Sequence, residues 1–465
     1  MTEEMMQHIE AGGFTIPGES GYEELTLDLA QRWGADMIRD SDGTELSPAL
    51  ISSGLGVYST ICLIRGHNTW AKENPDKLQQ TFLSSEPMIA MDDAITLTLL
   101  SGYYKEQFRL NDTPRGFRYW QVFDRTAERL LSPKEWSFDS SNGSVTVRNA
   151  QKWHVYTVSF LVYRIWEEIS MYNHVTNHWG DKEHLVPIEP FYPETQYYLK
   201  SWLEQWCIAY PHTSVVRFTA MFYNFVWIWG EHERKRNIFS DWASYDFTVS
   251  DIALDSFAHS FGYELCAEDF INKGKLHATH QPASKTKLDW MKFINDFTIR
   301  FGKELIDIVH QFGKKAMLFF DDSWVGTEPN NERFQELGFD GVIKCGFSAF
   351  EVRLLDRVAV QTHELRLHPY LFPTGVDGSP SFLADGDPAT EAIRYWVKMR
   401  RALLRVSVDR IGLGGYLHLV QRKPDFIDAM ENIAREFRAL RALHKTGAPL
   451  IFNPKVAVLH SWGKL

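Results

Sequence analysis

A long helical stripe that runs directly into a buried apolar run constrains this chain more than any other feature. Trp290, Phe293, Ile294, Phe297, Phe301, Leu305 and Val309 recur at steps of three and four, the pattern of one apolar helix face. Gly313 supplies the stop, because a residue without Cβ takes the left-handed conformation that ends a helix. The run Ala316–Phe320 follows at once. Taken alone, five apolar residues leave helix and strand both open. Placed after a completed helix they parse as a parallel strand, and that strand halts at Asp321-Asp322.

The same rhythm recurs. Tyr22–Trp33 has helical spacing and ends at Gly34, and a short strand over Ala35–Ile38 then delivers Arg39-Asp-Ser-Asp-Gly43. Further strands are expected at Thr60–Ile64, Val215–Thr219, Gly341–Cys345, Val360–Leu367 and Arg410–Leu417, with helices at Thr195–Trp206 and Ala389–Leu404. Alternating helices and strands of this kind predict an α/β fold, a (β/α)8 TIM-type barrel. Between about 89 and 147 the character changes: Ala94–Leu99 and Ser144–Val147 alternate with period two, and Asn142-Gly143 is a hairpin turn signal. A β-rich insertion in the barrel is expected there. Tyr156–Trp166 is again a long apolar segment. The barrel domain is expected over 1–446. The strand-like Lys455–Trp462 marks 447–465 as the start of a further domain, truncated here.

Bulk properties exclude several classes of partner. A formal net charge of -11 disfavours nucleic acid and anionic membrane surfaces, which require a basic face. No apolar stretch is long enough to span a bilayer, and the N-terminus lacks a signal-peptide apolar region. Cys62, Cys207, Cys266 and Cys345 are widely spaced and read as reduced thiols of a cytoplasmic protein. The 16 Trp, 18 Tyr and 31 Phe suit a carbohydrate site, where ring faces meet sugar C–H surfaces, and equally suit a bulky core.

In a barrel of this type, polar residues at strand C-termini project into the active-site mouth. Asp321-Asp322 are then a catalytic acid, a metal ligand pair, or a structural cap. Arg39, Arg217 and Arg366 stand at or near predicted strand ends, where arginine in an apolar strand is costly unless it meets an anion. Each one alone is equally a buried salt bridge, for instance Arg366 with Asp321. Three converging on one face favour an anionic ligand such as phosphate, held bidentately. His174 and His178 have metal-compatible spacing without the H-E-x-x-H pattern, so no metal site is expected. Gly412-Leu-Gly-Gly-Tyr416 fits no nucleotide loop and suggests tight backbone packing.

Trp33–Gly43, Met171–His184, Val215–Thr219, Asp322–Pro329 and Arg410–Tyr416 together resemble the galactosyl-N-acetylhexosamine phosphorylase family, the inverting β-galactoside phosphorylases of glycoside hydrolase family 112. The resemblance runs in order from about Phe14 to Leu465. It implies a barrel catalytic domain followed by an amidotransferase-like domain, of which only the opening strand is matched. It also implies Asp322 as general acid, with Arg39, Arg217, Asn173, Arg366, Tyr370 and Phe372 lining sugar and phosphate subsites. Trp242 and Tyr245 shape the acceptor pocket, and Trp324 stacks on a sugar face. Asp321 stands where the family usually has glycine, Glu364-Leu-Arg-Leu-His-Pro369 replaces a more apolar family segment, and Ser170 stands where an acidic residue is common; together this pattern resembles the branch acting on galactosyl-rhamnose.

The expected reaction is inverting phosphorolysis of a β-galactosyl disaccharide, giving α-galactose 1-phosphate and a free acceptor sugar. Inorganic phosphate is the co-substrate, and no metal or organic cofactor is needed. An inverting hydrolase requires a second carboxylate to activate water, whereas phosphate is already an anionic nucleophile. Asp321 is expected to raise the pKa of Asp322 by like-charge repulsion. Two alternatives remain: a barrel β-galactosidase using Glu168 or Glu364 as second carboxylate, and a non-catalytic sugar-binding domain. Oligomeric state is not legible, with a homodimer among the options.

Overall fold

The computed structural model describes residues 12–40, 45–166, 182–223, 227–229, 236–239, 245, 248–271, 283–319, 321, 325–375 and 378–447. Eight parallel strands close into a barrel. In chain order they are β1 (Phe14–Pro17), β2 (Met37–Arg39), β3 (Gly56–Cys62), β4 (Thr213–Ala220), β5 (Lys315–Phe319), β6 (Gly341–Cys345), β7 (Thr362–Arg366) and β8 (Arg410–Gly412). Each pairs with its sequence neighbour within the barrel, and β1 closes the ring on β8. The expected strands at 35–38, 215–219, 316–320 and 341–345 agree within about two residues. The strand expected at 60–64 lies earlier, at 56–62. The opening strand Phe14–Pro17 was not foreseen: the three residues between Gly12-Gly13 and Pro17-Gly18 carry too little periodicity.

The helices cover the outside. α1 (Glu23–Trp33) ends on Gly34 at φ 68°, and α2 (Lys285–Gln311) is followed by Gly313 at φ 69°. Both glycines do what the sequence required of them, closing a helix in the left-handed region. α3 (Pro388–Leu403) and α4 (Pro424–Thr446) complete the layer used below. Among the described residues no helix is long and apolar enough to cross a membrane.

The antiparallel region is wider than its alternation suggested. Its strands run from Gln80–Ser84 to Val155–Arg164, and form one six-stranded and one three-stranded sheet. The ten-residue strand Val155–Arg164 explains the difference. Tyr156, Val158, Phe160 and Val162 belong to the insertion's own core, whereas Leu161 and Tyr163 pack into the barrel core. A strand buried on both faces shows no alternation, so it reads as a continuous apolar run. Gln80–Ser84, with Gln80 and Thr81 fully buried, carries no apolar pattern at all.

Candidate active site

Strand alternation decides what faces the barrel axis. Val216 and Phe218 on β4, Ala316 and Leu318 on β5, Val342 on β6, Leu365 on β7 and Ile38 on β2 all enter the outer core shared with the helices. Their alternates Val215, Met317, Phe319, Ile343 and Cys345 form a separate cluster inside the barrel. Arg39, Arg217, Glu364 and Arg366 share that inward parity. In register, Arg217 lies beside Thr60 and Met317, and Arg366 beside Cys345 and Gly412.

The three arginines foreseen at strand ends do converge. The guanidinium carbons of Arg217 and Arg366 lie 5.1 Å and 5.5 Å from the centre of one ring, Phe319, the last residue of β5. A Cβ on Gly414 would stand 2.8 Å from Arg366 Nη1 and 3.4 Å from Arg39 Nη2, so those two side chains share the space this glycine leaves open. This is the tight packing expected of the Gly412–Tyr416 stretch. All three arginines are at least 95% buried, with exposures of 3%, 5% and 3% for Arg39, Arg217 and Arg366.

Their hydrogen bonding differs. Arg39 Nε donates to Leu413 O at 3.0 Å and Nη1 to Asp40 O at 3.1 Å. Among the described residues Arg217 Nε and Nη1, and Arg366 Nε and Nη2, are buried with no hydrogen-bond partner. Among the described residues no carboxylate forms an ion pair with Arg217 or Arg366. Burial, then the neighbouring charge of Arg217, pulls the Arg366 guanidinium below the usual arginine range. Two like charges with unused donors are a costly arrangement in a protein interior, and an oxyanion between them would relieve it.

Asp321 is not the partner of Arg366. Its carboxylate is bound by Lys344 Nζ and by the backbone N–H of Cys345, so it ties the end of β5 to β6. A charge balanced by lysine exerts little repulsion on a neighbour, which weakens the pKa tuning expected of it. Glu364, one step deeper than Arg366 on β7, is fully buried; it accepts from Thr15 Oγ1 at 3.2 Å and pairs with Arg410 Nε at 3.6 Å. Below the mouth and neutralised by Arg410, it is poorly placed to activate water.

An aromatic wall continues from the end of β7. His368 stacks between Phe347 at 4.0 Å and Tyr370 at 4.3 Å, and Phe372 meets Tyr370 at 6.1 Å and Tyr416 at 5.8 Å. The Tyr370 hydroxyl contacts Cys345 Sγ, and burial pushes it well above the usual tyrosine range. Burial, then the Arg366 charge, pushes His368 down to about 3, which keeps the ring neutral. Tyr245 is 2% exposed, and its hydroxyl is bound to Glu328. Asp322, Trp324, Asn173, Trp242, Glu168, His174 and His178 lie outside the described residues.

Sequence reasoning missed Asp40. Following Arg39, it accepts from Thr60 N–H at 2.6 Å, and burial pushes its carboxyl up to about 6 against the charges of Arg217 and Arg39. Its place in the charged cluster after β2 was a usable signal. Lys344 and Glu328 offered none, since their partners are distant in sequence.

A parallel barrel whose C-terminal mouth gathers buried guanidiniums beside an aromatic wall offers charge-assisted donors to an oxyanion and ring faces to a ring-shaped ligand. The chain belongs to the family described as the lacto-N-biose phosphorylase N-terminal TIM barrel domain, matched over residues 12–452. It is 59% identical over 462 residues to the D-galactosyl-β-1→4-L-rhamnose phosphorylase of Lachnoclostridium phytofermentans, covering 99% of this chain and 64% of that one. It is 38% identical over 456 residues to the 1,3-β-galactosyl-N-acetylhexosamine phosphorylase of Bifidobacterium longum subsp. longum, covering 98% of this chain and 59% of that one. The chain thus spans about three-fifths of the length of the curated relatives it matches. Among solved structures, a β-galactosidase from the psychrophilic Marinomonas ef1 overlays with a TM-score of 0.46 at 9% identity, over 93% of this chain and 60% of that one. That likeness is too slight to bear on the site.

Proposed function

We propose that this barrel catalyses inverting phosphorolysis of a β-galactosyl disaccharide, releasing α-galactose 1-phosphate and the free acceptor sugar. One observation carries the reading: Arg217 and Arg366 are buried on a single ring, with four guanidinium nitrogens lacking a hydrogen-bond partner among the described residues. Phosphate seated there would satisfy donors that no carboxylate among the described residues reaches. Asp322 protonates the glycosidic oxygen while phosphate attacks the anomeric carbon from the opposite face. No second carboxylate is needed, because the nucleophile is already anionic. Phe372, Trp324 and Trp242 supply ring faces for the sugars, and Asn173 a polar contact. The reaction uses no metal or organic cofactor and takes place in the cytoplasm, where thiols such as Cys62, Cys207, Cys266 and Cys345 persist without forming disulfides.

The acceptor we propose is L-rhamnose. The 59% identity to a protein named for galactosyl-rhamnose, against 38% to one named for galactosyl-N-acetylhexosamine, supports that choice. Reverse synthesis from α-galactose 1-phosphate, with L-rhamnose, N-acetylglucosamine and N-acetylgalactosamine in parallel, tests it. Phosphate release should be fastest with rhamnose. Release with none of the three, together with galactoside cleavage in phosphate-free buffer, would replace this reading by the β-galactosidase one. The deep, neutralised position of Glu364 argues against that outcome.

A further inference from the structure

The chain on either side of Asp322 is fastened by carboxylates that the reaction itself does not use. On one side Asp321 is bound to Lys344 and to the backbone of Cys345. On the other side stands Glu328. Its Oε1 accepts from the Tyr245 hydroxyl and from Gly326 N–H at 3.1 Å, and its Oε2 accepts from Asn295 Nδ2 at 3.2 Å. Asn295, on α2, also donates to Gly326 O at 2.9 Å, and its own Oδ1 is held by Arg333 at 3.1 Å. Tyr245 is tied in turn by Trp290 Nε1, which donates to its carbonyl at 3.2 Å. Gly326 sits at φ +79° with its absent Cβ position 2.5 Å from Thr298 Oγ1, so residues 325–328 lie flush against α2.

From these contacts we infer that Glu328 is a positioning residue for proton transfer to the leaving sugar. With Tyr245 and Asn295 it fixes the C-terminal side of the stretch that carries Asp322, while Asp321 fixes the other side. The inference rests on the functional reading above, in which Asp322 is the acid. A carboxylate is what the site calls for, because three donors converge on its two oxygens. Glutamine keeps the volume but turns an NH2 group toward one of those donors, leaving a mismatched pair at the anchor. Burial pushes the Glu328 carboxyl up to about 7, against the lowering effect of the backbone N–H groups that donate to it.

A misplaced acid has a kinetic signature that a loosened fold lacks. Protonation matters greatly for a sugar leaving group and little for a nitrophenolate. Wild type, Glu328→Gln and Tyr245→Phe should therefore be compared on galactosyl-β-1,4-rhamnose and on nitrophenyl β-galactoside, each with saturating phosphate. Glu328→Gln should lose roughly 10-fold or more in kcat on the disaccharide, part of the 10²–10⁴ that general acid catalysis supplies. It should lose less than about 3-fold on the aryl galactoside, with the phosphate KM unchanged. Tyr245→Phe, which deletes one hydroxyl, should show the same selectivity in smaller degree and carries the test if Glu328→Gln does not fold. Equal losses on both substrates, or no loss on either, would overturn the inference. A wild-type protein that cleaves neither substrate with phosphate would refute the functional reading instead.

Discussion

Arg410 and Arg366 sit on adjacent strands of one barrel, yet their surroundings are opposite. Arg410 is met by Asp36 through two hydrogen bonds of 2.6 Å and 3.1 Å, by Thr15, and by Glu364 at 3.6 Å. Arg366 is met by a second arginine, a phenylalanine ring and a glycine, and feels the Glu364 charge only through space, with no ion pair among the described residues. The lower tier is an ion network of Asp36, Glu364 and Arg410 that contributes to the fold, with Glu364 Oε1 alone left without a hydrogen bond among the described residues. In the upper tier no ion pair among the described residues neutralises Arg217 or Arg366. Charge placed where the protein does not neutralise it is the physical mark of a ligand site.

The widest separation between the tiers should come from Glu364→Ala. It leaves Arg410 with one partner fewer in the interior and should cost about 3–5 kcal/mol in urea denaturation, with the phosphate KM little changed. Arg217→Ala should do the reverse. Phosphate KM should rise about 100-fold, the scale of a lost charge-assisted pair, while stability holds or improves because a buried, unpaired charge has gone. If both variants lose stability alike, the distinction between tiers fails.

Asp40 probes the border between them. Its folded pKa of about 6 is raised above the ordinary aspartate value, so the native state binds more protons than the unfolded one between about pH 4 and 6. Stability contributed by this group is present below that window and lost as pH rises through it. Asp40→Asn should therefore gain about 3 kcal/mol on wild type across the window and stay level above it, checked by denaturation at several pH values. A difference that shrinks with rising pH would mean the carboxylate is stabilised by its arginines rather than strained by burial. The smallest effect belongs to Gly414→Ala. A Cβ 2.8 Å from Arg366 Nη1 displaces a flexible side-chain end, so phosphate KM should rise by roughly 5-fold to 10-fold with little loss of fold, a few tenths to about 1 kcal/mol.

The arginines were legible in the sequence for a physical reason. Arginine inside Val215-Val-Arg-Phe-Thr219 breaks an apolar strand, and the barrel turns that break inward. The role of Phe319 as their common platform was not legible, because nothing distinguishes an apolar residue at a strand end from any other core residue. Asp321 shows the reverse failure. The doublet Asp321-Asp322 drew attention to itself, but its partner Lys344 lies on the next strand, and only register brings the two together. The hairpin marks the insertion but not its extent, since Val155–Arg164 is buried on both faces and Gln80–Ser84 mixes buried polar Gln80 and Thr81 with buried Phe82 and Leu83. Period-two reasoning detects strands with one wet face, and neither of these has one.

The account stands or falls on phosphate at the upper tier. Titration of inorganic phosphate into the protein at neutral pH, followed by calorimetry, measures this without needing turnover. It should show saturable binding in wild type, weakened about 100-fold by Arg217→Ala and by Arg366→Ala. Phosphate that does not bind, or that binds the arginine variants as tightly as wild type, would contradict it.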